Sequence, residues 1–99
     1  MKLGNSLVNL NELCYLELNL ASNDINNEIE IELSNLTSLN NLSLYFHQNN
    51  ISRIRFGLNN LSSLENLTLY LGENEIGDLS GVEIGKALNN LTELTWLDL

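Results

Sequence analysis

The sequence predicts an α/β solenoid, in which parallel strands line a concave face and the convex side mixes extended and helical segments. One register recurs four times: LVNLNELCYLELNLASNDI from Leu7, LSNLTSLNNLSLYFHQNNI from Leu33, LNNLSSLENLTLYLGENEI from Leu58 and LNNLTELTWLDL from Leu88. Within each copy leucines alternate, as at Leu67, Leu69 and Leu71, which sends them all to one face of a strand. Units this short cannot bury an apolar face alone, so they must stack to make a core.

The shared frame is LxNLxxLxxLxLx(L/F)xxNxI. It resembles the leucine-rich repeat family, whose LxxLxLxxN hallmark is met with two residues added, as in Leu64, Leu67, Leu69, Leu71 and Asn74. The resemblance spans nearly the whole chain and implies a right-handed horseshoe fragment, with concave strands longer than the usual repeat. We expect a single array over 1–99, with repeats near 7–32, 33–57 and 58–87, a partial one at 88–99, and residues 1–6 closing a preceding repeat. The similarity is to ribonuclease-inhibitor-class repeats of protist type, where an N-x-I-G-D turn precedes a helix.

Each element follows from its local pattern. The strands are expected at the alternating leucines, with Leu16, Leu18, Leu42, Leu44, Leu67 and Leu69 buried. Asn23, Asn49 and Asn74 follow the strands at one offset, where buried amides can satisfy backbone groups left open between units, the family's asparagine ladder. A second column, Asn9, Asn35, Asn60 and Asn90, is expected to take the left-handed conformation that asparagine tolerates. The first two return segments alternate at Ile29, Ile31 and Leu33 and at Ile54, Phe56 and Leu58, which argues for extended chain. In register these place Glu28 beside Arg53 and Glu30 beside Arg55, pairs worth ~0.5 kcal/mol each. The third return carries Ser80-Gly81-Val82-Glu83, the form of a capping box, before Ile84, Ala87, Leu88 and Leu91, predicting a short helix near 81–89. LGNSLVNL, from Leu3, matches IGKALNNL, from Ile84, position for position, so the chain is expected to begin inside another such helix.

Composition narrows the function. Thirteen acidic against four basic residues give a net charge of -9, which repels nucleic acid and anionic membrane alike. The start MKLGNSLVNL has no unbroken apolar run, and no segment reaches membrane-spanning length. A lone cysteine, Cys14, excludes an intrachain disulfide and fits a reducing, cytoplasmic setting; it aligns with the polar Asn40, Glu65 and Thr95, so its thiol is expected to be exposed.

No catalytic or cofactor constellation emerges, since His47 is the single histidine and reads as a surface residue. One Cys and one His cannot close a zinc site, and GENEIGDLSGVE lacks the ligand spacing of a calcium loop. The six Asn-x-Ser/Thr sequons at Asn35, Asn41, Asn50, Asn60, Asn66 and Asn90 are generated by the repeat itself, and glycans are not expected.

The residues between the leucines remain. They form columns on the concave face: Tyr15, Asn41, Asn66, Trp96; Glu17, Ser43, Thr68, Asp98; Asn19, Tyr45, Tyr70. Polar-tipped aromatics among carboxylates have the composition of binding hot spots, although tyrosine, threonine and tryptophan are also simply good strand formers. The expected partner-binding set is Tyr15, Glu17, Asn19, Ser43, Tyr45, His47, Thr68, Tyr70, Glu73, Trp96 and Asp98. The expected function is a non-enzymatic scaffold that binds a protein or peptide of basic character. The alternatives are a repeat fragment of a larger enzyme or enzyme regulator, or a purely architectural segment. Leu7, Leu10 and Leu97 are expected on open end surfaces, inviting end-to-end self-association.

Overall fold

The structure is a computed structural model that describes residues 2–3, 9–58 and 60–98. It is α/β, with two parallel sheets and one helix. Chain order runs β1 (Lys2–Leu3), β2 (Tyr15–Asn19), β3 (Asn26–Ile31), β4 (Asn41–Tyr45), β5 (Asn50–Phe56), β6 (Asn66–Tyr70), α1 (Asp78–Leu88) and β7 (Trp96–Asp98). From β1 to β6 the strands alternate between the sheets, giving the orders β1-β3-β5 and β2-β4-β6-β7.

The LxxLxxL half of each repeat explains how the chain passes from one sheet to the other. Leu36 N–H donates to Leu33 O and Leu39 N–H to Leu36 O, and the same pair of turns recurs at Leu58, Leu61 and Leu64 and at Leu88, Leu91 and Leu94. Three-residue steps return every leucine to the same side. Leu33, Leu36, Leu39, Leu58, Leu61, Leu64 and Leu91 are accordingly buried.

Between the sheets lies one apolar core, with Leu42, Leu44, Leu67 and Leu69 facing Ile29, Ile31, Ile51 and Ile54 around Phe46. Leu16 and Leu18 are half-buried, not buried, because β2 is the edge strand of its sheet. Leu10 is 45% exposed; Leu7 and the Leu97 side chain lie outside the described residues. Strands β2, β4 and β6 are each five residues long, so Leu71 falls just past β6, half-buried against the core. Ladder bonding nevertheless runs on beyond the strands, through Leu20 N–H to Tyr45 O and Phe46 N–H to Tyr70 O, both 2.8 Å.

Asparagine joins the units as expected at two of three positions. Buried Asn49 accepts at Oδ1 from Asn23 and Ile25 N–H and donates from Nδ2 to Leu20 O and Phe46 O. Asn74 accepts from Ile51 N–H and donates to Phe46 O and Leu71 O. Asn23 is exposed and donates to Ala21 O in its own turn. The second column departs from expectation at Asn35 and Asn90, which do not have positive φ; the backbone leading into Asn9 and Asn60 lies outside the described residues. The left-handed residues are instead Ser22, Gln48 and Glu73, each immediately before a ladder asparagine, with Asp24 and Asn27 besides.

Three further expectations change. Lys2–Leu3 is a strand paired with Glu30–Ile31, so Leu3 does not begin a helix, and residues 4–8 of that segment lie outside the described residues. The strand register matches Glu28 with Arg53 and Glu30 with Arg55 as predicted, but the ion pairs run Arg55–Glu28 (3.2 Å) and Arg53–Glu83 (3.3 Å), because α1 offers Arg53 a second carboxylate. Finally, α1 starts at Asp78 after Gly77, with no side-chain cap. Ser80 is not a cap: it sits inside the helix, buried, where its Oγ accepts the Ile54 N–H at 3.1 Å. A helix replaces a strand beside β5 and offers no backbone acceptors sideways, so the hydroxyl takes over that role. Among the described residues no helix is long and apolar enough to cross a membrane.

Candidate binding face

With leucine turned into the core, the four-stranded sheet presents its other residues outward. Pairing sets them in register: Tyr15, Asn41, Asn66 and Trp96 form one row across the strands, Glu17, Ser43, Thr68 and Asp98 the next, and Asn19, Tyr45 and Tyr70 the third. Adjacent strands stand ~4.8 Å apart, so Tyr15 and Trp96, three strands apart in the row, are separated by roughly 14 Å. Both are well exposed, at 57% and 60%.

The third row is where aromatic rings meet. Tyr45 and Tyr70 lie with centroids 5.1 Å apart and planes at 76°, edge to face and not stacked in parallel. The electropositive ring edge prefers the negative face of its neighbour, which decides the T-shape. His47, two residues past β4, sets its ring 6.4 Å from Tyr70. It is half-buried instead of superficial, with Nδ1 shielded and, among the described residues, without a hydrogen-bond partner.

Carboxylates flank the rings. Tyr15 donates its hydroxyl proton to Glu17 Oε2 at 2.9 Å, and this bond together with the Glu17 charge raises the phenol above its usual pKa of 10.0. Glu73, in the turn after β6, receives the Gln48 amide at 3.4 Å. Gln48 in turn accepts from Ser22 Oγ at 2.7 Å. Ser22, Gln48 and Glu73, three of the left-handed residues, thus form a side-chain chain along one end of the face, one that a search for conventional left-handed residues overlooks, because none of these three is glycine or asparagine. Asn19 accepts from Ala21 N–H, and Asn66 donates to Asn41 across β4 and β6. Asp98 pairs by backbone with Thr68, and its side chain lies outside the described residues.

The structure therefore brings Tyr45, Tyr70 and His47 into one cluster, with Ser43 and Thr68 beside it in register. Tyr15 with Glu17, and Trp96, stand at opposite margins. Among the described residues no three His, Cys, Asp or Glu side chains gather as a metal site. Compared with protein-family models, with curated proteins and with solved structures, the chain matches none.

Proposed function

We propose that the chain is a segment of a leucine-rich-repeat solenoid whose four-stranded sheet, on the concave side, binds a protein or peptide of basic character without catalysing a reaction. The observation that carries this reading is the set of exposed aromatics on this sheet: Tyr15 and Trp96 in the first row and Tyr70 in the third are exposed, while the leucines of β2 and β6 lie in or against the core. A face that spends aromatic area on solvent suits recognition. The net charge of -9 and the Glu17 and Glu73 carboxylates favour Arg or Lys on the partner, held by cation-π contact and charge-assisted hydrogen bonds. The exposed, unpaired Cys14 supports a reducing, cytoplasmic setting.

A peptide library displayed against the intact chain tests this. Selected peptides should be enriched in Arg and Lys beside apolar residues, and Tyr45→Ala with Tyr70→Ala should weaken them by ~2 kcal/mol or more, about thirtyfold. A control on the opposite sheet, Glu28→Ala with Arg55→Ala, removes an ion pair without touching the face. Loss of affinity in that control, with the tyrosine variant unaffected, places binding on the other side of the molecule.

A further inference from the structure

The junction between β5 and α1 holds a cavity of about 260 Å³ lined by Ile54, Phe56, Ile84 and Ala87 and rimmed by Arg55, Glu83 and Lys86. It arises where a helix lies beside a strand, since the helix cannot follow the strand's edge at ladder distance. Three features give it a chemical preference.

The first is a backbone donor. Gly57 N–H bonds Ile31 O across the ladder, and alternation in a parallel pair then turns the N–H groups of Ile54 and Phe56 to the opposite edge, toward α1. Ser80 Oγ accepts from Ile54. Two residues on, Phe56 lines the cavity and alternation turns its N–H the same way, toward α1; among the described residues no loop, turn or side-chain acceptor is recorded for it.

The second is charge. Arg53, Arg55 and Lys86 are three of the chain's four basic residues. Arg53 is matched to Glu83 and Arg55 to Glu28, while Lys86 makes no hydrogen bond or ion pair among the described residues. Glu30, opposite Arg55 on β3, stands one strand further from the helix. Of the three charged rim residues, Arg55 and Glu83 are thus each matched by an opposite charge from outside the rim and Lys86 is the open cation, on a chain that is otherwise strongly acidic.

The third is size and polarity. The cavity is small, and its floor is apolar, with Ile54 and Ala87 buried.

We propose that this cavity binds a monocarboxylate with a compact branched apolar body: one carboxylate oxygen accepts from Phe56 N–H, Lys86 balances the charge, and the hydrocarbon covers Ile54, Ile84 and Ala87. The same chemistry is presented by a small free acid and by the C-terminal leucine of a peptide. The site is separate from the sheet face, so it stands whether or not that face binds a partner.

The test is a ¹⁵N-correlated NMR titration of the intact chain with 4-methylpentanoate and, in a second arm, with acetyl-Ala-Leu bearing a free carboxylate; the tighter of the two identifies the source. Saturable shifts are expected, largest at the Phe56 amide and at Ile84 and Ala87. The uncharged amides of both probes, and Lys86→Gln with the acids, should each bind about tenfold more weakly, as loss of one charge-assisted contact implies. Lys86 is exposed, so its replacement leaves the fold intact. Equal binding of acids and amides, an unmoved Phe56 amide, or undiminished affinity in Lys86→Gln overturns the proposal.

Discussion

Ser80 Oγ and Ile54 N–H meet at 3.1 Å in a buried contact between α1 and β5. Through it the helix stands in for a strand at the sheet edge. Ser80→Ala removes the acceptor and strands a buried donor, which should cost ~1 to 3 kcal/mol. Urea denaturation measures the loss, and amide hydrogen exchange at Ile54 should accelerate beyond the global change.

Asn49 binds the backbone on both sides, with two N–H groups at its oxygen and two well-formed carbonyl contacts at its nitrogen. Asn49→Ala should cost roughly 2 to 4 kcal/mol, the sum being limited because relaxation admits water to some of these groups. Asn23→Ala, in an exposed turn, should cost under ~1 kcal/mol. Equal destabilisation of the two variants in denaturant would remove the distinction between an internal and a terminal rung.

Leu69 is fully buried, whereas Leu16 occupies the edge strand and is half-buried. Leu69→Ala should cost ~2 to 5 kcal/mol. Leu16→Ala should cost about half as much, since less apolar area is removed from contact. Thermal unfolding of both variants against the parent checks the ranking.

Tyr15 has its phenol pKa raised by the hydrogen bond to Glu17 and by that carboxylate's charge. A raised folded-state pKa means that the folded chain holds the proton more tightly. The associated stability is therefore present below pH 10.0 and is lost as pH rises through the folded pKa. Ultraviolet titration in a Tyr45→Phe, Tyr70→Phe background should show Tyr15 ionising above the ordinary phenol range. Glu17→Gln should shift that titration downward.

Much of the architecture was legible because repetition over-determines it. The alternation of Leu42, Leu44, Leu67 and Leu69 assigns their burial, and the equal offsets of Tyr45 and Tyr70 place them side by side, before any coordinate is known. The columns of the candidate face follow from the same arithmetic. The T-shaped meeting of the two rings does not, since the sequence gives neighbours but no torsion angles. Nor does it reveal the Ser22, Gln48 and Glu73 chain, whose left-handed backbone is imposed by the turn that each asparagine ties down.

What the sequence determined by itself, then, is periodic: which residues point inward, which strands run in register, and where extended return segments give way to a helix. These depend on local spacing, and a strand's period of two leaves little choice once one face is leucine. The tertiary structure decided the roles of the polar residues. Ser80 and Glu83 match a capping box in sequence, yet the hydroxyl goes to Ile54 and the carboxylate to Arg53, because a buried N–H without an acceptor costs more than an uncapped helix end exposed to water. Likewise Arg55 reaches Glu28 along a diagonal once α1 has engaged Arg53. A polar side chain chooses among partners that only packing brings within 3 to 4 Å, and that choice is not written in the spacing of its neighbours along the chain.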